Sequence, residues 1–298
     1  MSGSELGAGS WVAVAKKDFR DAVQSRALWA LVAVFVVLSI GSTYAYVEAP
    51  ELLGSPGGAT FAGLIFFTIG LTGLFVPLAA IVVGYRSIAG ERELGSIKLL
   101  LSMPTTRGSV FVGKVVGRTC VLAFGLVVGL LVGLGVGAAM LGELRIVPVA
   151  VFVAVTLLFS AVYTAIVVGI SATTGSTSRA TTLALGFFVV FELFWDAVPM
   201  VILYVVEGFA TPTAIPDWVF PITQLSPSSA YFSSVVALLP DLAETAEATQ
   251  AGASTGADAA SGEPAPLYAT PEIGLLVLAL WLVAALVVGY YRFRSADL

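Results

Sequence analysis

Residues 119–141 read TCVLAFGLVVGLLVGLGVGAAML, an apolar run without a single charged side chain. As an α-helix it is about 35 Å long, enough to cross the roughly 30 Å of hydrocarbon in a bilayer. Gly125, Gly129, Gly133 and Gly137 recur every fourth residue and fall on one face of that helix. Rows of small residues let helix backbones approach closely where lipid offers no hydrophobic driving force. This row predicts a tight helix–helix contact, within the chain or between two copies of it.

Five further apolar runs cover 27–47, 60–84, 147–171, 181–206 and 273–291. None alternates polar and apolar faces as a soluble helix does. The whole chain of 298 residues is 58% apolar and 11% charged, against about 25% charged in ordinary soluble domains. The fold expected is a single all-α membrane domain over 1–298, with six transmembrane helices. The first run follows 26 charge-bearing residues without a small-residue cleavage site, and reads as a retained span.

The charges orient the spans. Of the 14 basic residues, 13 lie before the first run, between runs two and three or four and five, or after the sixth; Arg145 is the exception. By the positive-inside rule both termini are cytoplasmic in a multi-pass protein of the cell membrane. The opposite side carries eleven acids against Arg145. This reads as an acidic surface hydrated at high salt, as in halophiles, rather than as a cation vestibule.

Composition also prunes the chemistry. There is no histidine, so Ser-His-Asp and Cys-His catalysis and His-ligated metals are excluded. Cys120 stands alone, which excludes disulfides and cysteine clusters and leaves it as a small packing residue. The lysines all fall on the cytoplasmic side, away from any intramembrane serine. Gly108 to Val115 approaches a phosphate-binding loop, with Gly113 and Lys114 in place. Val115 stands where that loop needs a hydroxyl for Mg²⁺. The chain is expected not to be an enzyme and to bind no cofactor.

Three polar stretches remain. Over 10–26, Trp11, Val12, Ala15, Phe19, Ala22 and Val23 share one helical face, and Lys16, Lys17 and Arg20 the other. That pattern predicts a basic amphipathic helix on the inner membrane surface. The 85–118 loop carries Glu91, Arg92 and Glu93, then an apolar stripe of Leu94, Ile97, Leu100 and Leu101. Pro104 ends that short helix, and Thr105 or Thr106 caps the next, which continues into the third span. The outer segment 207–272 holds a short apolar helix near 227–239 and a flexible Ala/Gly/Ser/Thr-rich linker over 240–266.

Glu192 and Asp196 lie one turn apart in the fifth run. A carboxylate at mid-bilayer costs about 2.5–3.5 kcal/mol, so this span alone is marginal. Either the helix breaks near Pro199 and puts the acids near the outer surface, or they line a pathway, or they make structural polar contacts.

The run Gly90-Glu91-Arg92-Glu93-Leu94-Gly95-Ser96 through Pro104 to Arg107, with Gly113-Lys114 after it, resembles the cytoplasmic loop of type-2 ABC transporter permeases. The layout is similar too, most of all to permeases associated with nitrous-oxide-reductase maturation. The resemblance implies a permease subunit that forms homo- or heterodimers and couples ATP hydrolysis on a separate ATPase subunit, which holds ATP and Mg²⁺. The work is substrate export or conformational work across the membrane. It makes 91–103 the coupling helix. Glu91, Arg92, Glu93, Lys98 and Arg107 supply charge complementarity, Leu94, Ile97 and Leu101 the anchor, and Trp11 and Phe19 of the N-terminal helix a brace. The expected partners are the ATPase, a second permease chain and the lipid bilayer, with no nucleic acid. The alternative is an autonomous secondary transporter or channel that uses Glu192 and Asp196. It predicts paired broken helices in repeated halves, and the two halves show no convincing repeat.

Overall fold

A computed structural model describes residues 3–53, 59–96, 106–209, 216, 218–239, 242 and 273–296, with side chains described from Trp11 to Glu48 in the first segment. Among these residues every regular element is helical. In chain order they are α1 (Gly3–Val23), α2 (Arg26–Leu53), α3 (Phe61–Gly84), α4 (Ala89–Glu93), α5 (Arg107–Leu141), α6 (Ile146–Thr173), α7 (Thr177–Phe188), α8 (Ala197–Val206), α9 (Val219–Thr223), α10 (Pro227–Leu238) and α11 (Ile273–Arg294). A π-helical turn, Val189–Phe194, extends α7.

Among the described residues six helices are long and apolar enough to span a bilayer, as the apolar runs predict. The 119–141 run is the later part of α5, which begins at Arg107 and runs 35 residues, the continuous helix expected from Thr105 or Thr106 into the third span. That is about 52 Å of helix, far more than hydrocarbon requires, so its first turns stand clear of the apolar layer. In the fifth run, 181–206, the break that was one of the readings near Pro199 is present: the π-helical turn ends at Phe194, and the short apolar helix α8 starts at Ala197. The interruption precedes Pro199. A ring at that position removes a backbone donor and clashes with the carbonyl of the preceding turn.

Helices α3 and α6 form the centre. Leu64, Ile65, Val76, Phe152, Phe159 and Val162 are all fully enclosed. Several polar side chains inside the spans bond to carbonyls of their own helix, where hydrocarbon offers no water. Thr68 donates to Leu64 O, Thr156 to Phe152 O and Ser160 to Leu157 O. Gly142, at φ 70°, ends α5 in the left-handed conformation that favours glycine, and a short turn leads straight into α6.

The short helix expected near 227–239 is α10, capped by Ser226 with Pro227 in its first turn. Its depth was not legible in the sequence. It inserts between α3, α6 and α11, and Gly274 of α11 abuts Ala230 O and Ser234. Tyr231 is completely buried and stacks on Phe159, with ring centroids 4.4 Å apart. The 240–266 linker lies outside the described residues apart from Leu242.

Candidate functional site: the basic end of the bundle

The polar groups gather where α3 hands over to α5. After Gly84 the chain turns back across the end of α6. The Ser171 hydroxyl donates to Tyr85 O at 2.8 Å and accepts from the backbone N–H of Ile88 (3.2 Å) and Ala89 (3.0 Å). One buried hydroxyl thus serves three backbone groups that would otherwise be unpaired. Helix α4 starts from this anchor.

Each charge of the Glu91-Arg92-Glu93 triplet has a partner inside the chain. Glu91 Oε1 lies 2.6 Å from Lys114 Nζ on α5. Arg92 Nη1 donates to Ala172 O at 3.3 Å. Glu93 Oε2 accepts the backbone N–H of Thr177 at 2.9 Å. Ser176, the N-cap of α7, makes no side-chain cap bond, so Glu93 fills that role from another element. A carboxylate there also meets the positive end of the helix dipole. Gly95, at φ 71°, stops α4. Leu94 beside it is 77% exposed. Ile97, Lys98 and Leu101 lie outside the described residues, so most of the expected 91–103 helix does too.

Thr106, of the two expected threonines, caps α5 by accepting the N–H of Ser109 at 3.1 Å. Arg107 then reaches the far end of the chain. Its Nη1 donates to Arg294 O at 2.7 Å and Ala296 O at 2.9 Å. A cation on the last carbonyls of a helix satisfies both orphaned acceptors and the dipole. The N- and C-terminal helices therefore meet the same end of α5.

Helix α1 lies along the first turns of α5. A Cβ on Gly113 would stand 2.7 Å from Val14 Cβ and 2.8 Å from Trp11 O; one on Gly117 would stand 2.9 Å from Asp18 Cβ. The face turned to α5 is Val14, Ala15 and Asp18, all buried, with Trp11 and Phe19 half-buried at its margin. This packing face differs from the apolar face drawn from the sequence for the membrane surface. Val12, assigned to it, is 47% exposed, and Val14 and Asp18, omitted from it, are buried. Lys16, Lys17 and Arg20 are exposed, as the amphipathic pattern expects.

Asp18 closes the arrangement. Its Oδ1 is 3.2 Å from Lys114 Nζ, and its Oδ2 is 2.9 Å from Arg118 Nε. Asp18, Lys114, Arg118 and Glu91 line a cavity of about 420 Å³ together with apolar residues that include Leu28, Leu31, Val82 and Val121.

Further along α5 the glycine row faces α2. A Cβ on Gly129 would stand 2.7 Å from Phe35 Cβ, and one on Gly133 would stand 2.7 Å from Ser39 Cβ. Gly125 meets the Phe35 ring, and Gly137 meets Leu64 and Thr43. The Thr43 hydroxyl donates to Gly133 O at 3.1 Å, a contact only bare backbone permits. Of the two readings of the row, the contact within the chain is the one present.

At the opposite end, Glu192 and Asp196 lie at the interruption between α7 and α8. Glu192 accepts a hydrogen bond from Ser228, and the Ser229 hydroxyl donates to Asp196 at 3.4 Å. Ser228 and Ser229 belong to the first turn of α10, so both acids face a helix N-terminus, where negative charge is favoured. Trp195 Nε1 donates to Ile222 O and the Ser226 hydroxyl to Phe191 O, which ties the break to the inserted segment. Among the described residues no three metal-ligating side chains converge.

The chain matches the family model described as "ABC-2 family transporter protein" over residues 12–298. It belongs to the ABC-2 transporter family. A "Probable ABC transporter permease protein NosY" from Stutzerimonas stutzeri is 30% identical over 208 residues, covering 68% of this chain and 74% of that protein. A protein of the same name from Pseudomonas aeruginosa is 28% identical over 290 residues, covering 94% and 96%. This ABC-2 protein is thus the membrane subunit of an ABC transporter, a multi-span permease.

Membership gives the 108–115 stretch its proper reading. In this permease it is helical throughout, so most of its N–H groups are spent on intrahelical bonds and cannot cradle a phosphate. Lys114 pairs with acids instead. Sequence reasoning did not assign Asp18, Lys114, Arg118, Ser171 or Thr177 to the site. One signal was available. Gly113 and Gly117 continue the four-residue spacing of the lower row, which places α1 on the same stripe of α5 as α2.

Proposed function

We propose that this ABC-2 permease receives ATP-driven motion from a separate ATPase chain through its 85–118 loop. ATP and Mg²⁺ bind on that chain. The basic end, with both termini, faces the cytoplasm, and a second permease chain, identical or different, completes the transporter. The output is export of a substrate or conformational work across the membrane.

The observation that carries this reading is the construction around Leu94. Every charged neighbour on α4 is engaged by α5, α6 or α7, and Leu94 projects into solvent from that held platform. An exposed apolar side chain on a rigid base suits a docking contact, where buried apolar anchors carry binding energy and rim charges set partner choice. The platform joins the starts of α5 and α7 and the end of α6, so a push at Leu94 reaches three helices directly.

The test is purification of the tagged permease from its own membranes in mild detergent, with assay of the eluate for ATP hydrolysis. A copurifying ATPase chain, lost on Leu94→Glu while the permease stays folded, supports the reading. Intact, abundant permease with no ATPase activity and no second chain contradicts it.

A further inference from the structure

The 2.6 Å and 3.2 Å contacts of Lys114 join two elements far apart in the chain. Its ammonium, on α5, touches Glu91 of α4 and Asp18 of α1. The Lys114 side chain is 10% exposed and that of Asp18 is 6% exposed. Charges so enclosed hold their geometry, because separating them leaves an uncompensated ion out of water. Arg118 fixes the second side of Asp18 through two contacts, Nε to Oδ2 at 2.9 Å and Nη2 to Oδ1 at 3.1 Å. The glycines at 113 and 117 bring α1 close enough for Asp18 to reach both cations.

We propose that Lys114 is a positioning residue that locks the N-terminal helix α1 to the coupling-loop helix α4, so that the two move as one body when the loop is displaced. The proposal rests on the loop's role given above and adds the group that transmits its motion to α1. The chemistry is a single cation shared by two carboxylates. Without it, Glu91 and Asp18 face each other as like charges. Asp18 keeps Arg118, but Glu91 loses the ion pair that ties α4 to α5. Motion of α4 then no longer carries α1. An arginine can still span both acids, whereas a methionine of similar length cannot.

The experiment places spin labels at Lys17→Cys, on the exposed face of α1, and at Ser96→Cys, partly exposed just past α4 and outside the proposed docking contact, in a Cys120→Ser background. The inter-label distance is measured in lipid nanodiscs, for the permease alone and for its complex with the ATPase chain. The expected result is one narrow distance that is the same in nucleotide-free and ATP-trapped complexes. Lys114→Met broadens it even in the permease alone. It also lowers permease-stimulated ATP hydrolysis about fivefold or more, the scale of an ordinary coupling energy, while the ATPase still copurifies. Lys114→Arg restores both readouts, which a role in folding alone would not require. Glu91→Gln, which leaves the Asp18 pair intact, serves as a second variant and broadens the distance as well. A distribution that stays narrow in Lys114→Met and Glu91→Gln overturns the proposal. So does a wild-type distance that changes with nucleotide. If no ATPase binds at all, the loop's docking role fails on its own, and the distance in the permease alone still decides the lock.

Discussion

The hydroxyl of Tyr231 lies 2.8 Å from that of Thr156, and at the same distance from Thr72. Three helices, α10, α6 and α3, therefore meet at one fully buried phenol. Both threonines also have backbone acceptors, Phe152 O for Thr156 and Thr68 O for Thr72. Tyr231→Phe leaves neither threonine without an acceptor, so the expected loss is about 1 kcal/mol. Tyr231→Ala opens a cavity beneath Phe159 and is expected to cost about 3–5 kcal/mol. Thermal unfolding of the two variants in detergent checks the order and the gap.

Ser171→Ala strips the backbone N–H groups of Ile88 and Ala89 and the carbonyl of Tyr85 of their partner. Buried groups left unpaired cost about 1–3 kcal/mol, and here the loss falls on one short turn. The expected outcome is faster amide exchange over 85–93, with protection in the centre of α5 and α6 unchanged. Hydrogen-exchange mass spectrometry reads both regions in one sample.

The glycine row supplies its own control. Gly129→Ala would push a methyl into Phe35, which cannot move without shifting α2. Overpacking of this kind costs about 1–3 kcal/mol. Gly135, on the same helix, has nothing within 4 Å of its Cβ position, so Gly135→Ala is expected to change stability by less than about 0.5 kcal/mol. Equal melting temperatures for the two variants would show that α2 and α5 are not in register as described.

How legible this site was depends on the range of the signal. The long apolar runs announced the spans, and Thr106 announced the start of α5, because hydrophobic length and capping are local properties. Asp18 did not announce itself. Its burial depends on Gly113, Gly117 and Arg118, roughly a hundred positions away, and nothing in its own neighbourhood marks an acid as enclosed. The intrachain partners of the Glu91-Arg92-Glu93 triplet were hidden for the same reason. Charges that look free to meet a partner are held by Lys114, Ala172 and Thr177. Tyr231 likewise sits in what reads as an outer segment, because its partners Thr72 and Thr156 lie in other spans.

Glu192 and Asp196 separate a cap from a pathway. If Ser228 and the α10 N-terminus satisfy Glu192, then Glu192→Gln keeps the contact and removes a costly charge. Stability is expected to change by less than about 0.5 kcal/mol. Glu192→Leu deprives Ser228 of its carboxylate partner and is expected to lower stability by about 1–3 kcal/mol. Equal damage from both, measured by thermal unfolding, would contradict the capping role and favour a site that needs the carboxylate itself.

The central claim, that the platform around α4 docks the ATPase chain, is tested most directly by site-specific photocrosslinking in native membranes. A photoreactive residue replaces Leu94 in one strain and Leu144 in another; Leu144 is exposed at the opposite end of the bundle. The account predicts an ATPase–permease adduct from position 94 and none from 144. An adduct from 144, or an ATPase that copurifies with the permease yet never crosslinks to position 94, would contradict it.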